Sequence, residues 1–595
     1  MMTVSRKAVS SVSIALTGSG GAGVMTAGQI LLDAAARAGF YGLMAKSLGP
    51  QIRGGESAAL LRLSTRPVET PDDVYDILLA VDWGNVERFS AELPLAATSV
   101  ILADPAQGVV PPVMRAADPI VVDVALKELA ASVPGGRVNM VALGLLAALI
   151  GLPQDALAQV LAETLEKKGP AALESSLAAL RAGAAAAEAI PGCVCLPAPP
   201  SAPARWLISG NEASAFGALK GGIRFVAAYP ITPATEILEW LAPELPKVGG
   251  CLVQAEDELA SINMILGGSF GGVPALTATS GPGLALMTES LGLGVASETP
   301  IVVCNVMRGG PSTGIPTKSE QVDLNIALYG LHGDAPHVVT APNGIGDCAA
   351  TTQWSVHLAE AMQVPVIVLS DQAMGQSRAI IDKPATPAGA AQRLTAPPRA
   401  KSDEIPYARY GVTASGISPM AVPGTPGCAY TADGLEHSPR GMPSTQASHH
   451  GEQLDKRLRK LTGFEYGDAW ADIEGDGPTA LITWGSVTAA AREAAARLAE
   501  DGIAVRLISL RLIAPALPEA FAQALAGVSR ALIVEQNHGR QFYRYLRSVY
   551  DLPADTITYN RPGPVVLRPH EIVSAVKSWG ARVHPPASEQ TGQGE

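Results

Sequence analysis

The chain has 595 residues, 47% of them hydrophobic, 16% charged and 5% aromatic, enough for roughly three or four domains with cores of their own. A formal net charge of -12 supplies no basic face for phosphate neutralisation and argues against nucleic acid as a general partner. No apolar run reaches the length of about 18 residues that a membrane-spanning helix needs, and the six cysteines, Cys193, Cys195, Cys251, Cys304, Cys348 and Cys428, are scattered without a C-x-x-C pair. Neither a disulfide framework nor a protein-bound cluster is expected, and the expected compartment is the cytoplasm.

Arg6-Lys7 ahead of Ala8 to Leu16 has the outline of a short signal peptide, but Val12 to Leu16 reads better as a first strand feeding a Gly-rich turn. Residues 1–190 alternate strand-like runs (Val12 to Leu16, Ile77 to Val81, Ser99 to Ala103, Pro119 to Asp123) with helical ones (Ala27 to Ala38, Val141 to Ile150, Asp155 to Glu166). That alternation predicts a doubly wound α/β domain. The Pro-rich stretch Leu196 to Pro203 cannot continue a helix, so residues 191–204 read as a semi-rigid linker. A second α/β domain is expected over 205–385 and an extended connecting segment, poor in periodic apolar positions, over 386–475. A third α/β domain follows over 476–585, with strands at Thr479 to Trp484, Ala504 to Leu510 and Arg530 to Glu535 and helices at Val487 to Asp501 and Pro518 to Leu525, and then a tail, 586–595.

In the first domain, Gly18-Ser19-Gly20-Gly21-Ala22-Gly23 matches G-x-G-x-x-G between a strand and a helix, the pattern of a dinucleotide site. Such a site also wants a carboxylate about 20 residues on to hold the ribose. The region here runs Tyr41 to Pro50 without one, and the next carboxylate is Glu56. Nicotinamide binding is therefore a minor reading. Gly20 and Gly23 could still let backbone N–H groups face a phosphate, with Lys46 and Arg53 adding positive charge nearby.

The second domain carries the densest signal. Four apolar strands end in polar, turn-forming residues. Ile223 to Ala228 runs into Tyr229-Pro230-Ile231-Thr232-Pro233, and Cys251 to Val253 into Glu256-Asp257-Glu258. Leu276 to Thr279 runs into Ser280-Gly281-Pro282-Gly283, and Ile301 to Val306 into Arg308-Gly309-Gly310-Pro311. Open α/β sheets bind ligands at the carboxyl ends of their strands. The apolar helical face of Leu259, Ile262, Ile265 and Leu266 sets Glu258 in the first turn of a helix, in surroundings expected to raise its pKa. Glu256 and Asp257 are expected only to favour the helix N-terminus through its dipole. Arg308, alone at a strand end before a Gly-Gly-Pro turn, suits a planar grip on a carboxylate.

On these residues the stretch from Gly210 to Leu324 resembles the pyrimidine-binding domain of thiamine diphosphate-dependent 2-oxoacid:ferredoxin oxidoreductases. The whole chain resembles their alpha subunit with a gamma domain fused in front, most like the 2-oxoglutarate enzymes, and the third domain resembles the transketolase C-terminal domain. The resemblance implies that Glu258 exchanges a proton with the aminopyrimidine, that Thr232 and Arg308 contact the substrate, and that Tyr229, Pro230, Ile231, Gly281 and Gly283 line the thiamine site. It implies coenzyme A binding through the gamma domain, involving Gly20, Gly23, Lys46 and Arg53, or a substrate role for those residues. The reaction implied is oxidative decarboxylation of a 2-oxoacid, with the acyl group passing to coenzyme A and the electrons, one at a time, to an iron-sulfur cluster and ferredoxin.

The chain departs from the wider superfamily in what it lacks. Gly475-Asp476-Gly477 imitates a metal-diphosphate motif, but no Asn occurs between Gly477 and Asn537, so Mg²⁺, the diphosphate site and a [4Fe-4S] cluster are expected from a beta subunit, in an α2β2 assembly. Asn537 resembles a strand-end motif with an open role, and His437, His449 and His450 read as loop residues. The substrate could also be pyruvate or a branched-chain or aromatic 2-oxoacid. From a different class, a non-catalytic nucleotide-binding regulator is conceivable, and the full set Thr232, Glu258 and Arg308 argues against it.

Overall fold

The computed structural model describes residues 7–49, 55–190, 194–199, 205–385, 390, 392–400 and 406–583. Among these residues the strands form three main sheets, each flanked by helices. In the middle sheet the order is Cys251–Gln254, Phe225–Ala228, Ala275–Thr279, Ile301–Met307, Pro365–Asp371, Val338–Thr340 and Leu512–Ala514. The first six are parallel, and Leu512–Ala514 joins antiparallel from the third unit. Every residue of Ile301–Met307 and Pro365–Asp371 is buried, which is why both are near-continuous apolar runs.

From Phe225–Ala228 the chain moves outward to Cys251–Gln254 and then crosses back to Ala275–Thr279 on the other side. This is a topological switch point, and it opens a crevice at the carboxyl ends of the strands on either side. The helix Gly210–Gly221 supports the sheet from behind. It opens with a capping box in which Glu212 N–H donates to Ser209 Oγ at 3.2 Å and Ser209 N–H to the Glu212 carboxylate at 2.9 Å. It then packs backbone to backbone on Asp347–Met362, where a Cβ on Gly217 would lie 2.2 Å from the Ala349 carbonyl oxygen.

The first sheet differs from a purely doubly wound one. Ile120–Asp123, Val100–Ala103, Ile77–Ala80 and Ser11–Ser19 are parallel, as the alternation predicts. Beyond them lie Glu56–Ser64 and Tyr41–Leu48, two strands absent from the sequence reading, each antiparallel to its neighbour. Arg378–Ile381 and Trp206–Ser209, from the two ends of the second unit, complete the sheet, so it crosses the boundary drawn at 204. Of the linker, Val194–Cys195 pairs with Lys7–Ala8, while 191–193 and 200–204 lie outside the described residues. The third sheet has the order Ala471–Glu474, Val505–Leu510, Thr479–Trp484, Arg530–Glu535 and Asp555–Asn560, parallel except for Ala471–Glu474.

The connecting segment is not extended throughout, because it contains the sixteen-residue helix Ala447–Thr462. The buried stripe of that helix is Gln453, Lys456, Arg457 and Lys460 with Leu461. Lys456 and Lys460 converge with Arg409 on Glu298, a wholly buried carboxylate of the second unit, and Lys460 Nζ lies 3.1 Å from Glu298 Oε2. Burial alone would raise the Glu298 carboxyl, but Lys460, Lys456 and Arg409 hold it well below the usual range. His437 lies in the irregular part of the segment but is fully buried, stacked on Tyr410 with ring centroids 4.5 Å apart. Among the described residues no helix is long and apolar enough to cross a membrane.

Candidate active site

The crevice brings Thr232 and Arg308 together. Arg308 follows the last residue of Ile301–Met307 and donates from Nη1 to the Thr232 carbonyl at 2.6 Å. Its side chain is buried, and Nε meets no acceptor among the described residues. Burial lowers the guanidinium pKa, and the nearby Asp323 carboxyl partly restores it. A desolvated guanidinium with free donors can hold a carboxylate.

The three carboxylates after Cys251–Gln254 separate by position. Asp257 caps the helix Glu258–Phe270, its Oδ1 accepting from Ala260 N–H at 2.7 Å, and both Glu256 and Asp257 are exposed. Glu258 turns inward and is buried. It lies against Gly283, where a Cβ would come 2.7 Å from Glu258 Cγ, 3.0 Å from its Oε1 and 2.1 Å from Thr279 Oγ1. Gly281, two residues earlier, has the same reason to lack a side chain, since a Cβ there would lie 2.6 Å from Asp323 Oδ1. The Ser-Gly-Pro-Gly turn therefore runs between two carboxylates, and its glycines make room rather than supply unusual backbone angles.

Asp323 is the residue the sequence reading missed. Burial pushes its pKa up to about 6, against the opposing pull of a hydrogen bond from Asn305 and the charge of Arg308. Asn305 Nδ2 donates to Asp323 Oδ2 at 2.8 Å. The third unit fixes the loop that carries Asp323: Gln321 Nε2 donates to the Trp484 carbonyl at 2.8 Å, and Gln536 N–H donates to Gln321 Oε1 at 2.8 Å. Asn537 belongs to this brace. It donates to the Gln321 carbonyl at 3.2 Å and to the Glu535 carboxylate, and accepts from Gln541 N–H at 3.3 Å. Gly475-Asp476-Gly477 forms an irregular turn before Thr479–Trp484, with a Cβ on Gly477 meeting the Ala504 carbonyl at 2.3 Å.

Of the first-domain residues, Lys46 approaches the helix that follows the Thr232 turn, and the glycines border a different cleft. Lys46, on Tyr41–Leu48, has Nζ 3.7 Å from Glu236 Oε1. Glu236 in turn accepts from Asn211 Nδ2, which also donates to the Pro233 carbonyl, both at 2.8 Å. Gly21 and Gly23, with left-handed backbone angles, border a separate cleft with Lys127, Arg137 and Lys168, lined by first-domain residues alone. Asp82 already satisfies part of that turn, accepting from Ser19 N–H at 2.9 Å and from Ser19 Oγ at 2.8 Å. Arg53 lies outside the described residues.

Three family models match the chain. The thiamine diphosphate-binding domain of pyruvate flavodoxin/ferredoxin oxidoreductase covers residues 216–456, pyruvate ferredoxin/flavodoxin oxidoreductase covers 13–186, and the transketolase C-terminal domain covers 471–541. The chain is 34% identical over 385 residues to 2-oxoglutarate synthase subunit KorA of Methanothermobacter thermautotrophicus, a match spanning 62% of this chain and 98% of that one. It is 35% identical over 434 residues to 2-oxoglutarate oxidoreductase subunit KorA of Mycobacterium tuberculosis, spanning 71% of this chain and 65% of that one. A solved structure of 2-oxoglutarate:ferredoxin oxidoreductase from Magnetococcus marinus with 2-oxoglutarate, coenzyme A and succinyl-CoA bound aligns with TM-score 0.88 at 34% identity. The alignment covers 96% of this chain and 99% of that one.

Proposed function

The chain belongs to the 2-oxoacid:ferredoxin oxidoreductase family, and from that premise we propose that it is the alpha subunit, gamma domain included, of a cytoplasmic α2β2 enzyme that converts 2-oxoglutarate and coenzyme A to succinyl-CoA and carbon dioxide. Two electrons pass to ferredoxin. The observation that carries this reading is the buried Glu258 against Gly283, with Arg308 hydrogen-bonded to Thr232 from a strand end across the switch point.

The residues fit one half of a thiamine diphosphate site. Glu258 offers a desolvated carboxyl at a helix start, Gly281 and Gly283 keep side chains out of the crevice, and Tyr229, Pro230 and Ile231 line its mouth. Leu259, Met264 and Leu286, on the helices around it, are exposed apolar residues suited to a beta subunit. Asn537 is committed to bracing the third unit, which leaves Mg²⁺, the diphosphate and a [4Fe-4S] cluster to that partner. When bound, thiamine diphosphate supplies the nucleophilic carbon and the electron sink for decarboxylation.

This chain's own residues bind, orient and move protons. Glu258 exchanges a proton at its carboxyl with the aminopyrimidine nitrogen. Arg308 holds the C1 carboxylate with its remaining donors, of which Nε meets no acceptor among the described residues, and the Thr232 turn, pinned by the Arg308 hydrogen bond, fixes the substrate's angle. Lys46, already beside the turn, takes the distal carboxylate that distinguishes 2-oxoglutarate from pyruvate. The assembled enzyme, given coenzyme A, a low-potential acceptor and a panel of 2-oxoacids, should prefer 2-oxoglutarate. Lys46→Met should erode that preference about 10- to 100-fold, the worth of a hydrogen bond to a charged group. Equal use of pyruvate by the parent enzyme would refute the substrate assignment. Absence of coenzyme A-dependent reduction with every 2-oxoacid would refute the whole reading.

A further inference from the structure

We propose that Lys318 is a positioning residue: it fixes the spacing between Arg308 and Lys46, the two cations that grip the ends of 2-oxoglutarate, and through that spacing it sets the preference for a dicarboxylate. The proposal rests on the assignment of those two grips and deepens it.

Arg308 is followed by a loop that turns back on itself. Gly309 N–H donates to the Lys318 carbonyl at 3.0 Å, Ile315 N–H to the Gly309 carbonyl at 2.8 Å, and Lys318 N–H to the Ile315 carbonyl at 3.1 Å. The backbone of Lys318 is thereby tied to the residue next to Arg308. Its side chain reaches the first domain. Lys318 Nζ donates to Ser47 Oγ at 3.0 Å and pairs with Glu92, while the neighbouring Thr317 Oγ1 donates to the Leu48 carbonyl at 3.3 Å. Ser47 is the residue after Lys46 on Tyr41–Leu48. Lys46, Glu92, Thr317 and Lys318 all border one small cavity where the units meet.

The two ends of this tether differ in firmness. Tyr41–Leu48 pairs along its whole length with Glu56–Ser64, and at Gly42 to Met44 with Arg378–Ile381, and Ser47 is fully buried. The loop after Arg308 is the softer side, since residues 310–315 are exposed and include Gly310 and Gly314. The Lys318–Glu92 pair is largely withdrawn from water, with side-chain exposures of 13% and 15%, and is screened less than a surface pair. It therefore holds the loop to the wall that carries Lys46. A ligand gripped at both ends gains from the second contact only as far as the grips already stand at the right spacing, and loose grips lose part of that gain to ordering. A 2-oxoacid with one carboxylate uses Arg308 alone and is indifferent to the spacing.

The test compares kcat/KM for 2-oxoglutarate and for pyruvate in the assembled oxidoreductase, with coenzyme A and a low-potential dye. Lys318→Met should lower the ratio of the two about tenfold through a loosened spacing. In Lys46→Met the distal grip is already gone, so adding Lys318→Met should lower the ratio no further. A merely structural role would weaken the use of both substrates alike. An unchanged ratio in Lys318→Met, or a drop in the double variant as large again as in the single one, overturns the proposal. Should Lys318→Met fail to assemble, Glu92→Ala decides from the other end of the pair: a lowered ratio supports the tether, and an unchanged one overturns it. Lys46→Met tells the two readings apart. If it lowers the ratio while Lys318→Met does not, only the tether falls; if it leaves the ratio unchanged, the distal grip falls and this proposal with it.

Discussion

Gly283→Ala should cripple the enzyme while leaving it folded. The added methyl group would sit 2.1 Å from Thr279 Oγ1 and 2.7 Å from Glu258 Cγ, so something must move. Thr279 is fully buried on a central strand and has nowhere to go, whereas Glu258 begins a helix at the edge of the crevice. The carboxylate is the group that yields. Overpacking costs about 1–3 kcal/mol, and replacing a helical glycine returns roughly 0.8–1.0 kcal/mol of intrinsic propensity. Gly283 is the third residue of Gly281–Ala296 and has no positive φ to lose. Net destabilisation should therefore be about 0–2 kcal/mol by these two terms. Displacing a proton-exchanging carboxylate by about 1 Å should cost about 10²-fold in turnover. The assays are thermal unfolding followed by circular dichroism, and coenzyme A-dependent reduction of a low-potential dye by the assembled enzyme. Gly451→Ala is the control: its Cβ meets nothing within 4 Å on an exposed helix face, so it should stabilise by about 0.5–1 kcal/mol with activity unchanged. Parental activity in Gly283→Ala would refute the assignment of that glycine as the space Glu258 needs.

Glu258→Gln should keep the unfolding transition and lose about 10²- to 10⁴-fold in turnover, while Glu256→Gln, at an exposed position, should change little; equal losses would mean the wrong carboxylate has been assigned. Arg308→Lys keeps the charge but not the planar fork, and should weaken 2-oxoacid use by about 1.5–3 kcal/mol with the KM for coenzyme A unmoved, which separate titrations of the two substrates would establish. Glu298→Gln removes the buried counter-charge of Lys456, Lys460 and Arg409; it should destabilise by about 3–5 kcal/mol, measured by denaturant unfolding, and a change within experimental error would remove that cluster as the anchor of the connecting segment.

What the sequence disclosed and what it hid divide along physical lines. Ile301–Met307 and Pro365–Asp371 are buried on both faces, so each strand announces itself as an apolar run and its polar end stands out. That made Arg308 stand out as a candidate at the end of Ile301–Met307, whereas Glu258, after the exposed edge strand Cys251–Gln254, stood out through the apolar spacing of the helix it opens. The helix Ala447–Thr462 was not legible, because its inward stripe is made of Gln453, Lys456, Arg457 and Lys460: the helical spacing is present, but in residues that a hydrophobic pattern does not count. Tyr41–Leu48 and Glu56–Ser64 mix small and polar residues around a Gly-rich connection; they pair with each other, but the outer partners that complete their ladders, Arg378–Ile381 and Ser11–Ser19, lie farther away in the chain. Asp323 looks like an ordinary helix cap from its neighbours. Only Asn305 and Gly281, 18 and 42 residues away, make it a site residue.

Arg378–Ile381 pairs with Trp206–Ser209 on one side and with Tyr41–Leu48 on the other, in the register Arg378 to Met44, Ala379 to Leu43 and Ile380 to Gly42. The two extremities of the second unit thus form a ribbon that completes an edge the first domain would otherwise leave bare, with unpaired N–H and C=O groups ready for any passing strand. Main-chain complementation of this kind does not depend on a covalent joint. The same docking would serve whether the first domain arrives on the same polypeptide or as a separate one. The edge itself is constrained: a proline at Leu43 would remove a ladder donor and unfasten the two units on the strand from which Lys46 approaches Glu236.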